Sequence, residues 1–210
     1  MPAPPDRARP AGRPAFIGLT GAVAAGKSEA LAALGRLGAA TLSSDAVVHE
    51  LLGSDRVRDR LVERWGPDVA PSGEVDRGRV GTLVFERPGE LAWLEAELHP
   101  LVAEEVASWG ASLPEDVDVA VVEVPLLFEA GMEPAFDATV AIVADDAARV
   151  VRAGSRGTEG LAEREARQLP QEEKASRATY VISNDGSLEE LEARLEALWP
   201  TLREAAGSGA

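Results

Sequence analysis

The chain has no cysteine among its 210 residues. That excludes a disulfide framework, a thiol nucleophile and any metal site built on thiolates. Aromatic residues are few as well, only 4% of the chain. No apolar run reaches the length of a membrane span. Positive charge is scarce: 21 Lys and Arg stand against 36 Asp and Glu, giving a formal net charge of -15. A general nucleic-acid or membrane-surface binder needs broad basic surface, which this composition does not supply. Lysine is scarcest of all, occurring only at Lys27 and Lys174. An anionic ligand would therefore have to be met by cations gathered locally.

What is present is an ordinary soluble composition, 45% hydrophobic and 27% charged, in a length suited to one domain, or to one with an insertion. Residues 1–14, rich in Pro and Arg, read as a flexible tail rather than a signal peptide. The expectation is a cytoplasmic, soluble protein. Phe16 to Thr20 reads as a buried strand, Ser28 to Leu37 as a helix ended by Gly38, and 40–43 as a second strand. Helix is expected over 46–52 and up to Trp65, then turn chemistry over 66–78. A helical block over 79–112 is expected to break at 87–90 and again at His99-Pro100. Residues 117–124 form the strongest strand signal, being continuous, short and β-branched, and 137–143 and 179–183 follow as strands. The segment 146–178 reads as helical with a Gly-rich break at 153–160. Ser187 and Glu190 form a capping box for a last helix, with Leu188, Leu191, Leu195, Leu198 and Leu202 as its apolar stripe. Alternating strands and helices predict an α/β doubly wound parallel sheet of about five strands. The core is expected over 15–53 and 115–206, with a helical insertion over about 54–114 gripping a second substrate and a helical lid over about 153–170.

The chemistry is concentrated in Gly21-Ala22-Val23-Ala24-Ala25-Gly26-Lys27-Ser28. Gly-x-x-x-x-Gly-Lys-Ser between a strand and a helix turns successive backbone N–H groups onto phosphate oxygens, with the helix dipole behind them. Lys27 would reach the β- and γ-phosphates, and the Ser28 hydroxyl would ligate Mg²⁺. A Gly-rich turn with a surface lysine is the plainer alternative. The Asn-Lys-x-Asp pattern of guanine readers and the Ser-Gly-Gly signature of ABC proteins are both absent. Asp45, expected at the carboxyl edge of the second strand, could accept a substrate hydroxyl proton or orient that hydroxyl. Asp is equally at home there as a helix cap and dipole partner.

"GLTGAVAAGKS", "SSD", "GEVDRGRVGTLVF" (73–85), "LEAELHP" (94–100), "VEVPLLFEAGM" (122–132) and "YVISNDGSLEEL" (180–191) follow one another in an order that resembles the dephospho-CoA kinases. The likeness covers nearly the whole chain, and Leu-His-Pro and Pro-Leu-Leu-Phe-Glu are its most specific parts. It implies a P-loop NTPase-type fold, with ATP and Mg²⁺ as cofactors and transfer of the γ-phosphoryl group to the ribose 3′-hydroxyl of dephospho-CoA. By position it implies Asp45 as general base, and Arg77 and His99 on the acceptor side, with Asp76 a partner for Arg77. His99 alternatively packs at a helix end before Pro100. Glu129 closes "PLLFE" as either a structural or a substrate residue. The resemblance sets Arg152 and Arg156, followed by Arg164 and Gln168, in the lid, where an arginine would neutralise charge in transfer; a solvated Arg/Glu helix face is the alternative. Asn184 matches a loop near the adenine. The expected partners are small molecules, with no nucleic acid and no membrane, for a chain acting as a monomer.

Departures from the family pattern are visible too. Ala24 and Ala25 occupy a usually more flexible loop, Glu29 follows Ser28, and Ser43 replaces the first carboxylate of Asp-Ala-Asp. A glutamine usual in the helix before the lid is missing around Ala148. Glu29 suits the helix dipole yet stands close to incoming phosphates, so lowered ATP affinity is expected. Another P-loop kinase, acting on nucleosides or nucleoside monophosphates, and a degenerate non-catalytic nucleotide binder remain the alternatives.

Overall fold

In the computed structural model the described residues are 13–156 and 167–207. Five strands form one sheet: β1 (Ala15–Gly21), β2 (Ala40–Ser43), β3 (Val119–Glu123), β4 (Ala138–Val143) and β5 (Tyr180–Ser183). Their order is β2-β3-β1-β4-β5 and every pairing is parallel. All five residues of β3 are buried, which is why this strand reads as a continuous apolar run instead of an alternating one. The sheet is an α/β doubly wound arrangement, as the sequence predicts.

Helix α1 (Lys27–Arg36) follows β1, and the last helix, here α8 (Leu188–Gly207), packs beside it. Ile17, Leu19, Leu34, Val121, Ile142, Leu191, Leu195 and Leu202 share this core. The capping box forms as predicted, Ser187 N–H donating to Glu190 Oε2 at 3.1 Å and Glu190 N–H to Ser187 Oγ at 3.3 Å. Leu188 departs from the stripe at 49% exposure. It is the first residue of the helix, and its Cβ tilts back beyond the covered layer. Phe16 and Phe136 stack with centroids 5.9 Å apart. Arg13, assigned by sequence to the tail, pairs with Asp137 at 3.2 Å; residues 1–12 lie outside the described residues.

The chain divides into two compact units, one of residues up to Ser43 with those from Leu113, the other Ser44–Ser112. The second unit thus begins one residue before Asp45. The second unit contains α2 (Ser44–Leu52), α3 (Asp55–Trp65), α4 (Arg77–Glu86) and α5 (Glu90–Ala111), with a 3₁₀ turn at Pro67–Val69. Its core comprises Val57, Leu61, Val69, Val80, Val84, Leu94, Leu98 and Leu101. Trp65 and Trp93 meet edge to face at 5.2 Å, and Trp65 Nε1 donates to Glu90 at 2.7 Å. The break at 87–90 is present, but α5 runs unbroken through His99 and Pro100. Pro100 forfeits one helix hydrogen bond, and burial of Leu94, Leu98, Leu101 and Val102 along the helix outweighs that loss.

Candidate active site

The loop after β1 is shaped by close approaches. Gly21 lies opposite Ile142 in register, and a Cβ on it would sit 2.3 Å from the Ile142 carbonyl oxygen. Ala22 to Ala25 form a turn, Ala25 N–H donating to Ala22 O at 3.2 Å. Within it Ala24 takes φ +59°, the only positive φ of a non-glycine among the described residues. Gly26, at φ 98°, is the N-cap of α1. A Cβ there would fall 2.2 Å from Asn184 Nδ2. The chain thus passes as bare backbone into the helix N-terminus, where N–H groups have no intrahelical partners. Lys27 donates from Nζ to Ala22 O at 3.0 Å. Ser28 is exposed in the first turn. Glu29 stands at the third helical position, from which a glutamate can reach back to the N-cap. Its Oε2 comes within 3.9 Å of where a Gly26 Cβ would be.

Asn184 is a buried strut of this loop as well as a turn residue. Its Nδ2 donates to Ala25 O at 2.8 Å and its backbone N–H to Val143 O at 2.7 Å. Helix α6 (Asp146–Arg156) fastens to the same place. Arg152 donates to Asn184 O at 2.8 Å and to Gly186 O at 3.3 Å. Arg149, which sequence reasoning did not single out, donates from Nε to Val23 O at 3.0 Å. Its signal was the spacing Arg149, Arg152, Arg156, which is one helical face. Asp185 accepts from Asp145 N–H at 2.6 Å and from the Ser183 hydroxyl. These bonds, the serine's first, hold its carboxyl below the ordinary range. The side chain of Arg156, Arg164 and most of the expected lid lie outside the described residues.

Glu129 is committed within the protein. Its Oε1 accepts from Leu169 N–H at 2.7 Å and pairs at 3.0 Å with Lys174, on helix α7 (Gln171–Arg177). Lys174 is fully buried and also donates to Pro125 O at 2.6 Å. Burial lowers its pKa, and Glu129 works against that shift. Sequence reasoning counted this lysine without placing it. Its chain neighbours, Glu172, Glu173 and Ser176, mimic a solvated helix. Glu123 is buried at the end of β3 and paired in register with Ser43.

In the helical unit, Asp45 is exposed in the first turn of α2. It sits one residue inside the helix, so it serves the dipole without being the cap. His49 lies four residues on, the same face of α2, and Arg77 contacts the His49 ring. Asp76 is not the partner expected for Arg77. It caps α4 through Arg79 N–H at 3.1 Å and pairs with the Arg79 guanidinium at 3.3 Å. His99 is exposed in mid-helix, not at a helix end. Next to it, Ala96, Glu97 and Pro100 line a cavity of about 370 Å³ with Arg56 and Arg60 of α3.

The family model described as dephospho-CoA kinase matches residues 15–190. The chain belongs to the dephospho-CoA kinase family. It is 38% identical to the dephospho-CoA kinase of Symbiobacterium thermophilum over 190 residues, 88% of this chain and 80% of that one. It is also 38% identical to that of Deinococcus radiodurans over 188 residues, 88% and 90% of the two chains. A crystal structure from Thermus thermophilus superposes with a TM-score of 0.78 at 35% identity, covering 90% of this chain and 98% of its own. As a member of the dephospho-CoA kinase family the chain is a kinase, at the last step of coenzyme A biosynthesis. The match includes the phosphate loop, Asp45 and the helical unit. Among the described residues no helix is long and apolar enough to cross a membrane.

Proposed function

We propose that the loop from Gly21 to Ser28 holds the β- and γ-phosphates of ATP, and that the γ-phosphoryl group passes to the ribose 3′-hydroxyl of dephospho-CoA, giving coenzyme A and ADP. The observation carrying this reading is the bare-backbone cradle at Gly26, where a Cβ would meet Asn184 at 2.2 Å. Phosphate oxygens fit such a cradle because N–H groups and the helix dipole converge there. Scarce positive charge collects beside it: Arg149 and Arg152 are bonded to Val23, Asn184 and Gly186, and Lys27 stands in its wall. Among the described residues no group of three or more His, Asp or Glu side chains could hold a metal. Ser28, exposed in the first turn of α1, would be a protein ligand of Mg²⁺ arriving with ATP, in keeping with the few protein ligands that ion takes. Bound there, Mg²⁺ supplies charge neutralisation on the phosphates.

Asp45 accepts or orients the acceptor hydroxyl proton, and Arg77 and His99 bind the acceptor. Its other end has a candidate enclosure in the cavity beside Pro100. Arg152 and Arg156 neutralise charge on the transferring group. The two bonds of Glu129 favour its structural role, holding Leu169 and Lys174. The working unit is a monomer in the cytoplasm, acting on small molecules.

Incubation with ATP, Mg²⁺ and dephospho-CoA should yield 3′-phosphorylated product, while nucleosides and nucleoside monophosphates should not compete as acceptors. ATP binding without phosphorylation of any acceptor would refute the assignment. Asp45→Asn should lower kcat by about 10²–10⁴ with the fold intact, and Lys27→Ala should likewise abolish turnover. Normal turnover by Asp45→Asn would remove its role.

A further inference from the structure

The turn at Ala22–Ala25 has two ways to connect the same ends. Ala24, its third residue, has φ +59°, and Val23 is not among the positive-φ residues. That combination is a type II turn, whose third position is glycine's by preference. A type I turn places both central residues at negative φ and suits alanine. The two differ by rotating one peptide plane, that between Val23 and Ala24. In a trans peptide C=O and N–H point opposite ways. Rotation therefore reverses both the Val23 carbonyl and the Ala24 N–H.

One group grips that peptide from α6. Arg149 Nε donates to Val23 O at 3.0 Å, from a side chain only 17% exposed. Its other arm bonds Asp146 at 3.0 Å. The helix is fixed in turn through Asp145 N–H to Asp185 and through Arg152 to Asn184 and Gly186. A donor holding the carbonyl on one side aims the Ala24 N–H to the other.

We infer that Arg149 is a positioning residue for ATP, locking the Val23–Ala24 peptide in the orientation that an alanine at 24 disfavours, so that the Ala24 N–H is presented to phosphate in advance. The inference rests on reading the loop as the phosphate site. It also gives Arg149 a task created by Ala24: a glycine at that position would hold the same turn unaided.

The test is calorimetric binding of ADP together with steady-state kinetics for the full chain and for Arg149→Gln, Arg149→Lys, Ala24→Gly and the double variant Arg149→Gln/Ala24→Gly. Arg149→Gln should weaken ADP binding and raise KM for ATP by roughly tenfold, the scale of one lost charge-assisted bond. KM for the acceptor and kcat should move by less than about twofold, since groups that touch the acceptor are untouched. Arg149→Lys, which keeps the charge and the helix, should also bind ADP more weakly than the parent. Ala24→Gly should bind at least as tightly as the parent, and the double variant should recover to within about threefold of it. Unchanged ADP binding in both Arg149 variants would overturn the inference. So would a defect that Ala24→Gly fails to repair, because Arg149 would then act through charge alone. If the parent chain binds no ADP, the phosphate-site reading fails first and takes the inference with it.

Discussion

Lys174→Met should be among the most damaging conservative changes to this chain. Lys174 is completely buried, and its ammonium serves Pro125 O at 2.6 Å and Glu129 Oε1 at 3.0 Å. Methionine replaces most of the aliphatic stem, so little cavity forms. The loss is electrostatic: Glu129 keeps its bond from Leu169 N–H but not its counter-charge. Removing one partner of a buried pair costs about 3–5 kcal/mol. Pro125 O retains the Thr20 hydroxyl at 3.3 Å, which points to the lower end, about 3 kcal/mol. For a chain of this size that lowers Tm by roughly 6–12 °C. Adding Glu129→Gln removes the orphaned charge while keeping an acceptor for Leu169, so the double variant should regain about half of the loss. Urea and thermal unfolding followed by circular dichroism read both numbers. A Lys174→Met melt within about 2 °C of the parent, or a double variant as unstable as the summed singles, would refute the reasoning. The pH dependence has a definite sign. Burial lowers the folded-state pKa of Lys174 below its ordinary 10.5, so toward that pH the unfolded chain binds more protons than the folded one. This group therefore makes stability rise with pH in the window below 10.5, a slope that Lys174→Met removes.

Gly18→Ala should lower stability by about 1–3 kcal/mol, because its Cβ would meet Leu127 Cδ1 at 2.5 Å and Phe136 Cδ2 at 2.9 Å; an unchanged melting temperature would contradict that overlap. Pro100→Ala should stabilise the chain by about 1 kcal/mol or more by restoring a helix hydrogen bond. A urea midpoint at or below the parent's would show that α5 accommodates proline without cost. Glu29→Gln should tighten ADP binding a few-fold and weaken α1 by some tenths of a kcal/mol, since an acid in the first turn favours the dipole; unaltered affinity in calorimetry would show that the carboxylate does not feel the phosphates. Asp185, held low by Ser183 and Asp145, contributes stability above pH 3.8 that fades as pH falls through its lower folded value. Asp185→Asn should flatten that limb of an acid titration, and an identical acid limb would dismiss the contribution.

The elements that sequence revealed are those specified by neighbours along the chain. The buried strand 119–123 announces itself through consecutive β-branched residues, and the capping box of α8 through Ser187 and Glu190. The phosphate loop is likewise a contiguous pattern. Features set by distant partners stayed hidden. Arg149 meets Val23 across 126 positions, and Lys174 meets Pro125 across 49. From sequence both resemble solvated helix residues. Asp76 pairs with Arg79, not Arg77, because a cap reaches three residues ahead. Pro100 signals a helix end, yet the buried row Leu94, Leu98, Leu101 and Val102 carries α5 past it. Local propensity yields there to side chains that only the folded unit brings together.

The position of β1 in the sheet has a consequence for the order of assembly. It is the central strand, yet its partners β3 and β4 begin at residues 119 and 138. During synthesis the first apolar strand therefore emerges about a hundred residues before either neighbour exists, whereas the helical unit Ser44–Ser112 is continuous in the chain and made before β3. Non-local pairing is the slow step in such topologies. The helices of the middle segment should acquire amide protection first during refolding, with Ile17 and Leu19 protected only when Val121 and Val140 join them. Pulsed hydrogen exchange that found β1 protected ahead of α3 and α5 would reverse this order.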